Sequence, residues 1–120
     1  MELPVSTSLA PESPAAAALP AVVRAIAEAL NPQAIIVFGS VARGTAGPNS
    51  DLDLLIIDDF AAAGRTKSAS IGLLYKAIWG VDVSIDPLVI SPAEFERWRG
   101  SPHNVIGTCA REGRVVHGHT

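Results

Sequence analysis

Two short apolar runs constrain this chain more than any other feature. Residues 34–38 read AIIVF and residues 52–57 read LDLLII. A short, continuous run rich in β-branched residues is the pattern of a buried strand. A third strand is expected over Val81–Ile90, where Pro87 breaks the run and marks an edge or a bulge. Strands of this kind need helices to cover them, and the intervening segments supply helices. Leu19, Val22, Val23, Ile26 and Leu30 recur at helical spacing until Asn31-Pro32 stops the helix. Ile71, Leu74, Tyr75 and Ile78 mark one face of a second helix over Thr66–Trp79, which ends at Gly80. In SPAEFERWRG, Ser91 is an N-cap, Pro92 opens the helix and Glu94 completes a capping box. A last helix spans about Asn104–Glu112, with Gly113 after it, and Arg114–His117 adds a short final strand. The predicted class is an α/β (α+β) layer fold, a small mixed sheet with helices packed on it.

The chain has 120 residues, enough for one modest core. Hydrophobic residues at 48% against charged residues at 18% place it among globular chains. The first residues, with three prolines up to Pro14, read as a loose arm. The expected division is an arm over 1–18 and one domain over 19–120. The start carries no basic segment leading into an apolar core, and no apolar run reaches the ~20 residues that span a bilayer. Net charge is −3, which gives no global pull toward nucleic acid. A single cysteine, Cys109, excludes an internal disulfide and fits a reducing compartment, so a cytoplasmic location is expected.

Chemistry concentrates between the first two strands. The first strand runs straight into Gly39-Ser40, and Val41, Ala42 and Arg43 make a short helical turn before Gly44. Glycine permits close backbone approach, and free N–H groups at a helix start attract an anion. The Ser40 hydroxyl adds a donor, and Arg43 adds a forked cation suited to a phosphate or a nearby carboxylate. After ten intervening residues Ser40 is followed by Asp51 and Asp53, two apart at a strand start, so both leave one face while Leu52 and Leu54 point to the core. Such carboxylates raise each other's pKa unless a cation joins them, and few hard oxygens suit Mg²⁺. A third carboxylate is expected from VDVSIDP. Asp82 is preferred, and Asp86 is the alternative, its default role being the turn at Pro87. Asp58 and Asp59 read as exposed loop acids. His103, His117 and His119 lack metal-ligand spacing, and Cys109 reads as a buried small hydrophobe. Trp79 and Trp98 are assigned to the core or to a partner-facing surface, and Arg97, Arg99, Arg111 and Arg114 to a solvated face.

Gly39-Ser40-x-Ala42-Arg43-Gly44 followed by Ser50-Asp51-x-Asp53-Leu54 and a later Asp82 resembles the signature of the DNA polymerase β-like nucleotidyltransferases, in particular their minimal branch. The similarity runs over roughly residues 20–118 and includes VDVSIDPLVISPAEFERWRG and AREGRVVHG. The resemblance implies a small mixed sheet with helices on one side. It implies that Gly39, Ser40, Arg43 and Ser50 hold the nucleotide, ATP or another nucleoside triphosphate. It implies that Asp51, Asp53 and Asp82 are catalytic and hold two Mg²⁺ ions, and that a hydroxyl attacks the α-phosphorus while pyrophosphate leaves.

About 20 residues follow the Glu94 helix, too few for the acceptor-binding domain of larger relatives, so the acceptor is expected on another chain. Minimal members pair with helical HEPN proteins. The resemblance implies an antitoxin that moves AMP to a tyrosine of a HEPN toxin; no membrane contact is expected, the net charge disfavours direct nucleic-acid binding, and homodimerisation is left open. Two other readings compete. One is a non-catalytic module that binds nucleotide and neutralises a toxin by contact. The other is transfer to a small molecule of the aminoglycoside kind.

Overall fold

The computed structural model describes residues 13–120. Nine elements follow in chain order: α1 (Pro14–Leu30), β1 (Ala34–Phe38), α2 (Gly39–Arg43), β2 (Leu52–Ile57), α3 (Lys67–Ala77), β3 (Ile85–Ile90), α4 (Pro92–Trp98), α5 (Val105–Glu112) and β4 (Arg114–Gly118). The strands form one sheet in the order β3-β2-β1-β4. β1 is antiparallel to both β2 and β4, and β2 is parallel to β3, so the sheet is mixed as expected.

α1 begins earlier than the apolar spacing indicates. Ser13 caps it, its Oγ accepting from the Ala16 N–H at 3.0 Å, with Pro14 at the first helical position. Residues 13–18 of the expected arm are therefore helix cap and helix; the rest of that arm lies outside the described residues. Pro20 sits exposed within α1, where it supplies no N–H to the helix. Asn31 ends the helix in the left-handed conformation, donating its N–H to the Ala27 carbonyl.

The edge assignment of Pro87 holds, and the ladder shows why. The Leu52 N–H donates to Ser84 O at 2.9 Å and the Asp58 N–H to Ile90 O at 2.8 Å. The backbone groups of alternate residues Ser84, Asp86, Leu88 and Ile90 thus face β2. Those of Ile85, Pro87 and Val89 face outward, so the absent N–H of Pro87 costs no ladder bond.

Side-chain parity sorts the core into two faces. On the first, Val22, Ile26 and Leu30 of α1 and Leu74 of α3 with Ile78 pack on Ile35, Val37, Leu52, Leu54, Ile56 and Val89. On the second, Phe95 of α4 and Ile106 and Cys109 of α5 cover Ala34, Ile36, Leu55, Ile57 and Ile90. Helices thus pack on both faces of the sheet rather than on one. The cover of the second face stops short, because α4 and α5 are only 7 and 8 residues long. Two of the three rows of β1, β2 and β3 side chains on that face carry buried residues of this core, and the row Phe38–Asp53–Asp86 lies beyond them.

Two expectations about individual residues change. Tyr75 is 52% exposed and does not share the buried face of Leu74 and Ile78. Asp58 is 2% exposed rather than a loop acid in solvent, because Arg65 reaches it at 3.4 Å. Asp59 is exposed, accepting from the Ala62 N–H. Among the described residues no helix is long and apolar enough to cross a membrane.

Candidate active site

The uncovered row is where the chemistry-bearing residues meet. Register places Phe38 opposite Asp53 and Asp53 opposite Asp86. Asp53 is half-buried, Asp51 and Asp86 are exposed, and Leu52 and Leu54 beside them are fully buried in the opposite face. Burial is the largest cause that raises the Asp53 pKa from its ordinary value, followed by the negative charges of Asp86 and then Asp51. Arg43 pulls in the other direction, so its charge reaches the same carboxylate.

This arrangement favours Asp86, the alternative, over the preferred Asp82 as the third carboxylate. β3 pairs with β2 only from Leu52↔Ile85 onward, and Asp82 stands three residues ahead of the strand. There it lines a cavity of about 260 Å³ together with Pro14, Asn49, Ser50 and Ser84. Asp86, not Asp82, is the acid that the sheet sets against Asp53. The strand expected from Val81 begins at Ile85, and Val81–Ser84 form a bend that follows α3 instead.

Gly39 has two reasons to be glycine. Its φ is +72°, a conformation that L side chains rarely adopt. A Cβ there would also overlap Oδ2 of Asp53 and lie 3.1 Å from its Cγ. The glycine therefore brings the start of α2 against the Asp53 carboxylate. α2 opens directly at Gly39 with Phe38 as an uncapped N-cap, so no side chain occupies its first-turn N–H groups. Val41, 6% exposed, anchors the helix, and Gly44 closes it in the left-handed region at φ +75°. Gly39→Ala is expected to cost at least ~1–2 kcal/mol from the backbone conformation alone and to displace Asp53. Thermal unfolding and a nucleotide titration check this: both should fall together, and an unchanged melting temperature would contradict it.

Ser50 does not point freely at this row. Its Oγ accepts from the Gly47 N–H at 2.8 Å and closes the turn that delivers Asp51. The α5 side is walled by Cys109, which is buried as expected. Burial pushes its thiol up to about 11, and the Asp53 charge adds to that rise, which places α5 close to the acidic row. The arginines 97, 99 and 111 are engaged locally, over Trp98, on Phe95 and Glu96, and on the Ser101 carbonyl respectively.

Among the described residues no three His, Cys, Asp or Glu side chains form a ready-made metal cage. The donor set still suits a hard cation that keeps waters and takes further oxygens from a phosphate: carboxylates only, mutually repelling, and half open. The raised pKa of Asp53 sets a testable sign. The unfolded chain ionises Asp53 near 3.8 and the folded chain ionises it higher. Its stabilising contribution is therefore complete below 3.8 and is lost as pH rises through the folded value. In a chelator, wild type should lose ground to Asp53→Asn across that window, measured as the difference in melting temperature; a difference that does not change with pH would refute it.

The chain belongs to the nucleotidyltransferase domain family, whose model matches residues 20–106. Solved structures share the architecture. One chain of a toxin–antitoxin structure solved with AMP-PNP is 20% identical, with a TM-score of 0.57 over 84% of this chain and 73% of that one. A candidate nucleotidyltransferase from Sulfolobus solfataricus is 16% identical, with a TM-score of 0.58 over 92% of this chain and 93% of that one. No curated protein sequence matches the chain. At these identities the structural likeness concerns the fold.

Proposed function

We propose that this chain is a nucleotidyltransferase antitoxin that moves a nucleoside monophosphate, AMP from ATP, onto a hydroxyl of a partner toxin, a tyrosine of a HEPN protein. One observation carries the reading: among the described residues, the acidic row of Asp53 with Asp86 on the second sheet face meets the open first turn of α2 at Asp53, and Gly39 makes that approach possible. Family membership and a toxin–antitoxin neighbour solved with AMP-PNP support it.

The roles follow from position. The first-turn N–H groups of α2 and the Ser40 hydroxyl hold the leaving phosphates, and Arg43 offsets their charge. Asp51, Asp53 and Asp86 would hold Mg²⁺, two ions in the full arrangement, which supplies charge neutralisation at the entering and leaving oxygens. Ser50 holds the turn that presents Asp51. In-line displacement puts the attacking hydroxyl on the side of the α-phosphorus away from α2, which is the β3 side. Asp86 stands there to accept its proton. Asp82, outside the strand, is assigned no part in the proton transfer.

A pyrophosphate-release assay with Mg²⁺, each nucleoside triphosphate and the partner tests this. Asp86→Asn should lower turnover by about 10³-fold, while Asp82→Asn leaves nucleotide affinity unchanged. Activity that survives Asp86→Asn but not Asp82→Asn would reverse the assignment.

A further inference from the structure

The end of the sheet that carries Asp53 and Asp86 opens into the cavity of about 260 Å³. Chain reversal builds it. Three residues, 31–33, join α1 to β1, so α1 runs back along that strand. Its 17 residues span about 25 Å, while the 5 of β1 span about 17 Å. The start of α1 therefore passes the end of the sheet, and Pro14 meets the segments that lead into β2 and β3.

Pro14, Pro48 and Val83 supply apolar walls, and Asn49, Asp82 and Ser84 supply polar groups. The walls are held in place. Pro14 opens a helix capped by Ser13. Pro48 sits in the turn that Ser50 closes on Gly47, its Oγ accepting at 2.8 Å and its N–H donating at 3.2 Å. The Ser84 carbonyl accepts from the Leu52 N–H at 2.9 Å. Apolar walls with a few polar groups make the composition of a small-molecule pocket, and the volume falls just below the roughly 300–1,000 Å³ that takes a drug-sized ligand.

Asn49 is the lining residue that the fold does not account for. Asparagine in a turn ordinarily supplies a left-handed backbone or a side-chain hydrogen bond to a nearby backbone group. Asn31 does the first in this chain. Asn49 is exposed, its φ is not positive, and among the described residues its side chain makes no hydrogen bond.

Geometry at phosphorus directs the nucleoside to this cavity. In-line displacement puts the leaving oxygen on the α2 side of the α-phosphorus and the entering hydroxyl on the β3 side. The ester oxygen that carries the nucleoside is equatorial. It therefore leaves across that line, along the strands or away from the sheet. In one direction along the strands, Phe95, Ile106 and Cys109 cover the face. In the other lies the cavity, with Ser50 next to Asp51 and Ser84 two residues before Asp86.

We propose that this cavity is the nucleoside pocket of the transfer site and that Asn49 reads the base in it. The proline and valine walls pack against the purine. The Asn49 amide offers donors and an acceptor side by side, which matches the N6 amino group and N7 of adenine, whereas guanine presents two acceptors on that edge. Asp82 forms wall and reads nothing, so its isosteric amide changes little. This inference rests on the nucleotidyl-transfer reading for the class of ligand, and it gives that reading a source of base preference in the chain's own residues.

Calorimetry with the full chain and Mg²⁺, using ATP, GTP and inorganic tripolyphosphate as probes, tests the pocket without any acceptor. The native chain should bind ATP about tenfold tighter than GTP. Asn49→Ala should bind the two within about twofold of each other, by losing affinity for ATP. Val83→Trp, which fills the cavity, should bind ATP no tighter than tripolyphosphate. Neither substitution should move the affinity for tripolyphosphate or the melting temperature. GTP bound as tightly as ATP by the native chain overturns the proposal, as does ATP affinity that survives both substitutions, or a native chain that binds no nucleotide. A parallel loss of tripolyphosphate affinity also overturns it, because the substitutions would then act on the phosphate site. Nucleotide transfer with Asn49-independent ATP binding would remove the pocket and keep the reaction. Asn49-dependent ATP binding without any transfer by the native chain would remove the reaction and keep the pocket.

Discussion

Asp53→Asn should abolish nucleotidyl transfer, by at least ~10³-fold in turnover, without weakening the fold. The two halves of that result have one cause. Asp53 is half-buried, opposite Asp86 and near Asp51, and these features raise its pKa. Its charge is therefore poorly tolerated in the free protein and useful only when cations and phosphates join it. The neutral amide keeps the shape and removes the repulsion. The melting temperature in a chelator at neutral pH should stay level or rise, while the rise produced by Mg²⁺ with nucleotide should vanish. A variant that is both inactive and strongly destabilised would show that Asp53 is structural, and would remove the ground for calling this row a catalytic site.

The largest loss of stability is expected elsewhere, at Arg65. Asp58 closes β2 with 2% of its side chain exposed, and Arg65 is its ion-pair partner at 3.4 Å. The same guanidinium donates to the Leu30 carbonyl at 3.3 Å and to Ser70 Oγ at 3.1 Å. One side chain thus joins the end of α1, the end of β2 and the start of α3. Arg65→Met leaves a buried carboxylate without a partner, and breaking a buried pair in this way costs ~3 kcal/mol or more. For a chain of this size that lowers the melting temperature by roughly 10 °C. Because burying the pair was itself costly, Arg65→Met with Asp58→Leu should recover much of the loss. Urea unfolding of the single and double variants decides the matter: a single variant within 1 kcal/mol of wild type, taken as about the worth of an exposed pair, would refute it.

Much of this architecture was legible because local signals agreed with the tertiary structure. AIIVF and LDLLII gave β1 and β2 to the residue, and Ser91, Pro92 and Glu94 gave α4 with its capping box. Asn104, whose Oδ1 accepts from the Ile106 N–H at 2.8 Å, gave α5. Where the reading failed, a local rule competed with a distant partner. The apolar spacing placed the first helix from Leu19, yet Ser13-Pro14 repeats the Ser91-Pro92 cap and starts it earlier. Asp58 looked solvated because its partner lies seven residues on in a turn.

The same limit applies to the candidate site. Gly39 as a close-approach glycine was readable, but what approaches it in the free protein, the Asp53 carboxylate, was not. Alternation along VDVSIDP treated Asp82 and Asp86 as equivalent, and only the register of β3 against β2 distinguishes them. Register depends on where pairing begins, and no residue between Val81 and Ser84 announces that the strand has not yet started. The exposure of Trp79 was equally hidden, since helical spacing alone does not say which flank of α3 meets the sheet.

Intact-mass spectrometry after incubating the chain and the proposed HEPN-type partner with Mg²⁺ and each nucleoside triphosphate in turn tests the central claim most directly. Nucleotidyl transfer predicts that the partner gains one or more nucleotide masses, with ATP as donor, that the added mass maps to a tyrosine, and that Asp53→Asn eliminates it. No added mass on either protein with any nucleotide, while the two associate tightly, would contradict transfer and leave a module that neutralises its partner by contact.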